Sequence, residues 1–375
     1  MQSAREPKRV LLLFTEVFAN GGIQRFNHTL LSALGELGVH CDILSMCDSR
    51  KSIDGNALPR NMNLIGFGRE RVRFAAAMIR AIWGGYYDWI VIGHVNLLVL
   101  AVAAVMTKPL MRARTIFIAH GIEVWYRMGV FRKLGLPLVS IILCVSKYTR
   151  QRILDQVPTL RPDRLKIFPN ALGELRQCVG PPSQPLALPH PFILSVTRLE
   201  KGDRYKGIAS VIEAFSMIED VSIHYVVVGC GNDLAFLQFV AKQCGVQDRV
   251  HFLSDVIDGE LVVLYQQCEA FVLPSGKEGF GIVFLEAMFF GAPVIAASEK
   301  GALDVIQDGE TGLLIRFGDT VALKRAIERL MTDAVLRDHL RRVGRSTVVD
   351  RGAFTFARFV ERTAAILELH PTEAA

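Results

Sequence analysis

Residues Leu273–Val294 read LPSGKEGFGIVFLEAMFFGAPV. The apolar run leading in, Ala270–Leu273, predicts a short buried strand, which Pro274, Ser275 and Gly276 break. The loop Lys277–Gly281 carries a Glu and two glycines. Ile282–Phe290 predicts a helix stopped by Gly291-Ala292-Pro293, and Val294–Ala297 opens the next strand. A strand–glycine loop–helix unit of this kind points backbone N–H groups and a positive helix end at a ligand. Glu278 lies in the loop, and Glu286 follows eight residues on, a little more than one turn into the helix. Glu286 stands among Leu285, Ala287 and Met288, where a bare charge is costly without hydrogen-bond partners. Sugar hydroxyls suit a carboxylate, which accepts up to about four hydrogen bonds. On spacing alone the two read equally well as a loop Glu and a solvated helix-face Glu.

EGFGIVFLE resembles the E-x7-E motif of retaining glycosyltransferases, and its continuation AMFFGAPVIA resembles family 4, whose fold is GT-B. Gly301, Asp304, Asp308-Gly309 and Thr311-Gly312-Leu313-Leu314 fit the same family in order. The resemblance implies an α/β chain of two Rossmann-like parallel-sheet domains facing a cleft.

At 375 residues, two domains are the natural expectation. A hydrophobic fraction of 51% with 21% charged residues describes a globular chain. The seven cysteines are scattered and form no C-x-x-C pair, which favours reduced thiols in the cytoplasm over a disulfide scaffold or zinc site. The start, MQSAREPKRVLLLF, has too short an apolar run for a signal peptide. Trp89–Met106 is the most apolar segment, but Gly93, His94 and Asn96 split it into a strand, Trp89–Gly93, and a helix, Leu97–Met106. Residues 1–190 hold 24 Lys+Arg against 12 Asp+Glu, and residues 191–375 hold 19 against 25. A basic first half and an acidic second half suggest different partners.

Arg9–Thr15 and His40–Met46 predict strands around a helix from Ile23 to Leu37, with Gly21-Gly22 at the strand-to-helix switch. That pair is either a tight turn or a close backbone approach to a phosphate. Asn20-Gly21-Gly22-Ile23-Gln24-Arg25 resembles the family's G-G-[VI]-x-R entry loop. Arg69–Trp83 predicts a basic amphipathic helix. It reads as a solvated face, or as an interfacial helix on anionic lipid with Phe74, Met78, Ile82 and Trp83 as anchors. Trp125, Tyr126, Arg127, Met128, Phe131, Arg132 and Lys133 form a second basic-aromatic cluster. His120 ends the strand Arg114–Ala119, where ligands sit in open α/β sheets and where packed core histidines also occur. His120-Gly121-Ile122-Glu123 resembles the family's H-G-x-[DE]; further on, Ala171 stands where the family has Gly after Asn170.

Gly180–Pro191, with five prolines in twelve residues, reads as a linker. The expected domains are 1–179 for the acceptor, 192–352 for the nucleotide sugar, and a final helix in 353–375 crossing back to the first. After the strand Phe192–Val196, the run Thr197–Gly207 carries Arg198, Lys201, Arg204 and Lys206 before a helix, Ile208–Ile218. Such cations suit a diphosphate, and the run also reads as an ordinary basic loop. It resembles the family's R-L-x-x-x-K-G segment, with Lys206 or Lys201 as its lysine. The strand Ser222–Val228 ends at Gly229-Cys230-Gly231, and Leu234 breaks the dinucleotide fingerprint, which disfavours NAD.

The resemblance implies transfer of a hexose from a GDP- or UDP-linked sugar, with retention, to a hydroxyl of a lipid-linked or oligosaccharide acceptor in surface polysaccharide synthesis. By the same match, Arg198, Lys206 and the N–H groups at Gly22, Phe280, Gly281 and Ile282 would stabilise the departing diphosphate. Glu286 would accept from the ribose, Gly229, Asp255 and Val256 would flank the base, Glu278 would hold the transferred sugar, and His120 would meet sugar or acceptor. No cofactor and no metal are expected, and the chain has no D-x-D. Nucleic acid is not an expected partner, because no basic-aromatic sheet motif or helix-turn-helix signal is present. The expected location is the cytoplasm, at the inner face of the membrane. A GT-B epimerase and a non-catalytic nucleotide-sugar sensor are the alternatives.

Overall fold

The computed structural model describes residues 8–19, 21–49, 58–108, 113–172, 188–350, 352 and 354–369. The chain forms two compact units, Met1–Gly173 with Phe356–Ala375, and Glu174–Thr355. Asn20 of the entry loop and residues 180–187 of the proline-rich stretch lie outside the described residues.

Among the described residues the first unit has seven parallel strands: β1 (Arg9–Phe14), β2 (His40–Ser45), β3 (Met62–Gly66), β4 (Trp89–Ile92), β5 (Arg114–Ala119), β6 (Ile141–Cys144) and β7 (Leu165–Ile167). Their order is β3-β2-β1-β4-β5-β6-β7. The strands alternate with α1 (Gly22–Glu36), α2 (Arg71–Gly84), α3 (Val95–Met106), α4 (Ile122–Trp125), α5 (Val130–Gly135) and α6 (Lys147–Gln156). Helices cover both faces of such a sheet, so its strands are continuous apolar runs; Val10–Phe14 are fully buried.

The second unit has six parallel strands among its described residues: β8 (Phe192–Val196), β9 (His224–Val228), β10 (Val250–Leu253), β11 (Ala270–Leu273), β12 (Val294–Ala297) and β13 (Leu313–Ile315). They run in the order β10-β9-β8-β11-β12-β13. Its helices are α7 (Ile208–Ser216), α8 (Leu234–Gln243), α9 (Asp258–Gln267), α10 (Ile282–Phe290), α11 (Thr320–Thr332) and α12 (Ala334–Val349). The last helix, α13 (Phe356–Leu367), packs in the first unit, where Phe359 meets Phe26 of α1 edge-on at 5.6 Å. In each sheet the strand order reverses once, between β1 and β4 and between β8 and β11. At such a reversal the connections leave in opposite directions and open a crevice at the strands' carboxyl ends.

The structure corrects the reading of α2. Phe74, Met78 and Ile82 are at most 2% exposed and belong to the first unit's core, so they do not anchor the helix at a membrane. Four-residue spacing gathers them on one helix face, and that face meets protein. Trp125 and Met128 of the second cluster are buried too, whereas Trp83, Tyr126 and Phe131 are exposed. Trp83 donates its Nε1–H to the Ala104 carbonyl at 3.3 Å. Helix α8 had no clear sequence signal: Leu237 and Ala241 are buried, but Phe239 faces outward and blurs the pattern.

The Gly229-x-Gly231 pair has a packing reason. A Cβ on Gly229 would lie 1.8 Å from the Thr197 carbonyl oxygen, and one on Gly231 would lie 2.2 Å from that of Leu199. Both have φ near +150°. The loop after β9 therefore lies directly on the segment after β8. Gly229→Ala and Gly231→Ala are each expected to destabilise the second unit by about 3 kcal/mol or more, from combined overlap and backbone strain. Gly259→Ala, in open space in the first turn of α9, should change stability by less than about 1 kcal/mol. Urea unfolding midpoints of the three variants check this contrast.

Candidate active site

In the second unit the carboxyl ends of β8 and β11 carry the two segments that the sequence singles out. After β8 the chain turns through a 3-10 segment, Lys201–Lys206, and leaves it at Gly207, whose φ of 81° is left-handed. After β11 it runs through Pro274–Gly281 into α10. The two segments touch. The Gly276 N–H donates to the Tyr205 carbonyl at 2.8 Å, and a Cβ on Gly207 would lie 2.8 Å from the Pro274 carbonyl oxygen. Lys206 Nζ donates to Glu278 Oε2 at 2.6 Å, with side chains only 16% and 12% exposed. A buried pair this close satisfies two charges that would each be costly alone.

The structure brings Lys206 and Glu278 together, while Lys201 is exposed and its backbone N–H donates to Asn232. Arg198 pairs with Asp203 at 3.0 Å and keeps its side chain 61% exposed. Glu286 is 2% exposed and accepts from the Tyr265 hydroxyl at 3.0 Å. Tyr265, on α9, is a partner the sequence did not indicate. Phe280 and Ile282 bury their side chains, so they would meet a ligand through the backbone. Gly281 enters α10 with φ of 88°, and the first-turn N–H groups of a helix have no acceptor within it. Gly301 closes the loop from behind: its N–H donates to the Glu278 carbonyl, and a Cβ there would lie 2.3 Å from the Gly279 carbonyl oxygen. Ser275 Oγ is buried without a hydrogen-bond partner among the described residues. Gly229 sits one strand further out and donates its N–H to the Leu253 carbonyl. Asp255 and Val256 follow β10, with Asp255 exposed and accepting from Ser254.

In the first unit the corresponding ends are those of β1, β4 and β5. Asp48 orders the loop after β1 by accepting from the Val17 N–H at 2.6 Å, the Phe18 N–H at 3.2 Å and Ser45 Oγ. Gly22 opens α1, and none of the described residues comes within 4 Å of its missing Cβ. His120 follows β5, and Glu123 accepts from the backbone N–H groups of His120 at 2.6 Å and Gly121 at 3.1 Å. Burial pushes the Glu123 carboxyl up. The His120 ring lies edge-on to Phe26, 5.0 Å away, with Nε2 3.0 Å from the Gly93 carbonyl. A carbonyl only accepts, so Nε2 carries the proton and Nδ1 is the acceptor. Burial pushes the imidazolium down to about 3, so the ring is neutral at neutral pH. His94, one strand over, is lowered too, by burial and then by Arg132. Among the described residues no group of three or more His, Cys, Asp or Glu is placed to hold a metal ion.

Residues 181–347 match the family model described as glycosyl transferases group 1, and residues 20–172 match that of glycosyltransferase family 4. The chain belongs to the group 1, family 4 glycosyltransferases. A GDP-mannose-dependent α-(1-6)-phosphatidylinositol monomannoside mannosyltransferase of Mycobacterium tuberculosis is 28% identical over 62% of this chain and 64% of its own length. A D-inositol 3-phosphate glycosyltransferase of Nocardia farcinica is 35% identical over 36% of this chain and 30% of its own. These matches thus span less than two thirds of either curated relative. Among solved structures, Anabaena HepE in complex with UDP-glucose aligns over 96% of this chain and 99% of its own, with TM-score 0.75 and 18% identity. Sucrose-phosphate synthase from Thermosynechococcus elongatus aligns over 96% and 98%, with TM-score 0.77 and 20% identity. At such identities the likeness is one of fold, and that fold is GT-B.

The neutral, buried His120 makes stability depend on pH. Its protonation is held below the ordinary 6.5, so the unfolded chain takes up a proton that the folded one refuses. Its contribution is fully present above 6.5 and is lost as pH falls toward about 3, with a limiting slope of about 1.4 kcal/mol per pH unit. His120→Asn should have a visibly shallower acid limb in denaturation midpoints taken between pH 6.5 and 4.

Proposed function

We propose that the protein is a retaining hexosyltransferase that takes a nucleoside-diphosphate sugar and transfers its hexose to an acceptor hydroxyl. The observation that carries this reading is the 2.6 Å Lys206–Glu278 pair at the carboxyl end of β11; Arg198, after β8, is exposed and paired with Asp203 of the same turn. The Lys206–Glu278 pair joins a cation suited to a diphosphate with a carboxylate suited to sugar hydroxyls. In this reading Arg198, Lys206 and the backbone N–H groups of Phe280, Gly281 and Ile282 stabilise the charge on the leaving diphosphate. Glu286, steadied by Tyr265, accepts from the ribose hydroxyls; Gly229, Asp255 and Val256 flank the base; Glu278 holds the hexose. His120, neutral with Nδ1 as acceptor, receives a hydrogen bond from a hydroxyl of the sugar or the acceptor. Cations and dipoles do the work of a divalent metal. The D-R-Y-K-G form and the named donor of the M. tuberculosis relative favour GDP-mannose, while the UDP-glucose of the HepE complex keeps UDP-glucose in view.

The acceptor in this reading is a lipid-linked glycan, met at the inner face of the membrane during surface polysaccharide synthesis. Among the described residues no helix is long and apolar enough to cross a membrane. What supports surface contact is an apolar face on and after α5: Val130, Phe131, Leu134 and Leu138 are 51–76% exposed, and Arg127, Arg132 and Lys133 lie in the same segment. Apolar anchors rimmed by cations suit an anionic bilayer.

Two experiments test the proposal. Purified protein incubated with single UDP- and GDP-sugars, EDTA and a lipid extract should release nucleoside diphosphate from one donor, in an extract-dependent way. Glu286→Ala and Lys206→Ala should each lower that release about a hundredfold or more. Release that survives both substitutions overturns the site, epimerised free donor would assign the chain to the epimerases, and binding without any turnover would make it a sensor. The protein should also co-sediment with phosphatidylglycerol vesicles but not phosphatidylcholine ones, and Phe131→Ser with Leu134→Ser should abolish this. Equal pelleting of wild type and double variant would remove the α5 face from the reading.

A further inference from the structure

We propose that Arg204, locked to Asp233, is a positioning residue that holds the Lys201–Lys206 turn where Arg198 and Lys206 can reach a diphosphate. This rests on the donor-site reading above.

Between the turn and helices α7 and α8 lies an open cavity of about 150 Å³, lined by Asp203, Arg204 and Asp233 together with Leu199, Ile208 and Phe236. Polar ties span the gap. Arg204 Nε donates to both Asp233 oxygens at 2.8 and 3.1 Å, and Nη2 donates to Oδ1 at 2.7 Å. The guanidinium lies 3.8 Å from the centre of the Phe236 ring. The Asp233 side chain is 3% exposed, while that of Arg204 is 51% exposed. A carboxylate so buried needs its cation, and only a planar fork meets both its oxygens at once.

Asp233 is well placed to serve as the anchor. Its backbone N–H donates to the Leu199 carbonyl at 2.7 Å, and the neighbouring Asn232 accepts from the Lys201 N–H at 2.9 Å. The base of the turn and the tip of the α8 loop are thus one body, closed by the Arg204 fork. On its other side the turn is tied through Tyr205 and Lys206 to Gly276 and Glu278. Arg198 joins through Asp203, which also accepts from the Tyr205 hydroxyl at 2.9 Å. Cutting the fork lets the turn relax toward the cavity and carries both diphosphate cations with it.

The test is calorimetric binding of GDP and UDP, and of GMP and UMP, to wild type, Arg204→Ala, Arg204→Lys, Asp233→Asn and the Arg204→Ala/Asp233→Asn double variant. Displacement of the cations should weaken diphosphate binding about tenfold or more in Arg204→Ala and leave the monophosphate unaffected. Arg204→Lys should recover part of the loss, and the double variant should lose no more than the worse single one, since the pair acts as a unit. Diphosphate binding unchanged in Arg204→Ala overturns the inference. So does equal loss of mono- and diphosphate with a lowered unfolding midpoint, the signature of a merely structural pair. If Arg204→Ala does not fold, the near-isosteric Asp233→Asn carries the same comparison. Wild type that binds neither diphosphate sinks the donor-site reading instead.

Discussion

The Lys206–Glu278 ion pair fixes the segment after β8 against the segment after β11. Two opposite charges lie 2.6 Å apart with little solvent between them, so the segments that bear them cannot drift separately without leaving a charge unpaired. The backbone accommodates this. Gly207 lets the turn approach Pro274, the Gly276 N–H bonds to the Tyr205 carbonyl, and Gly301 presses against the back of the Glu278 loop. At Gly207 and Gly301 the approach leaves no room for a Cβ, and at Gly276 the Phe317 ring takes that room. Gly207 and Gly301 thus let the segments that bear the cation and the carboxylate come together at a strand reversal.

The same logic organises the layer behind the turn. Gly229 and Gly231 let the loop after β9 lie on the segment after β8, and the tie that results is the buried Asp233 with its guanidinium. A Gly-x-Gly after a strand is often read as a phosphate cradle. Here the missing side chains make way for Thr197 and Leu199 carbonyls of the protein itself. In the first unit, Asp48 and Glu123 are a comparable pair of carboxylates spent on backbone N–H groups, one ordering the loop after β1 and the other the turn that holds His120. His120 itself is kept neutral by burial and oriented by Gly93, which suits it to hydrogen bonding and not to carrying charge.

Much of the strand layout was legible because parallel strands covered on both faces are continuous apolar runs. β1, β4, β8, β11 and β12 announce themselves this way, and the polar interruption at Gly93–Asn96 separates β4 from α3. Glu278 and Glu286 were legible as a motif, but spacing left Glu286 equally readable as a solvated helix-face residue, and the structure buries it. Helix α8 escaped because Phe239 is apolar and exposed, which erases the contrast that periodicity depends on. The face of α2 stayed open between solvent and lipid for a related reason, and the structure gives Phe74, Met78 and Ile82 to the core. Phe74, Met78 and Ile82 repeat every four residues whether the apolar stripe meets a sheet or a lipid, and periodicity is the same in both cases.

The sequence by itself determined the alternation of strands and helices, the positions of the glycine-rich loops and the family to which these motifs belong, because all of these are local patterns of hydrophobicity, turn chemistry and spacing. Only the tertiary structure decided which charges meet. Arg204 and Asp233 are separated by 29 positions, Lys206 and Glu278 by 72, and Tyr265 and Glu286 by 21. No local rule links such residues. Their pairing follows from strand order, which places the ends of β8, β9 and β11 side by side, and from the cost of burying a charge without a partner.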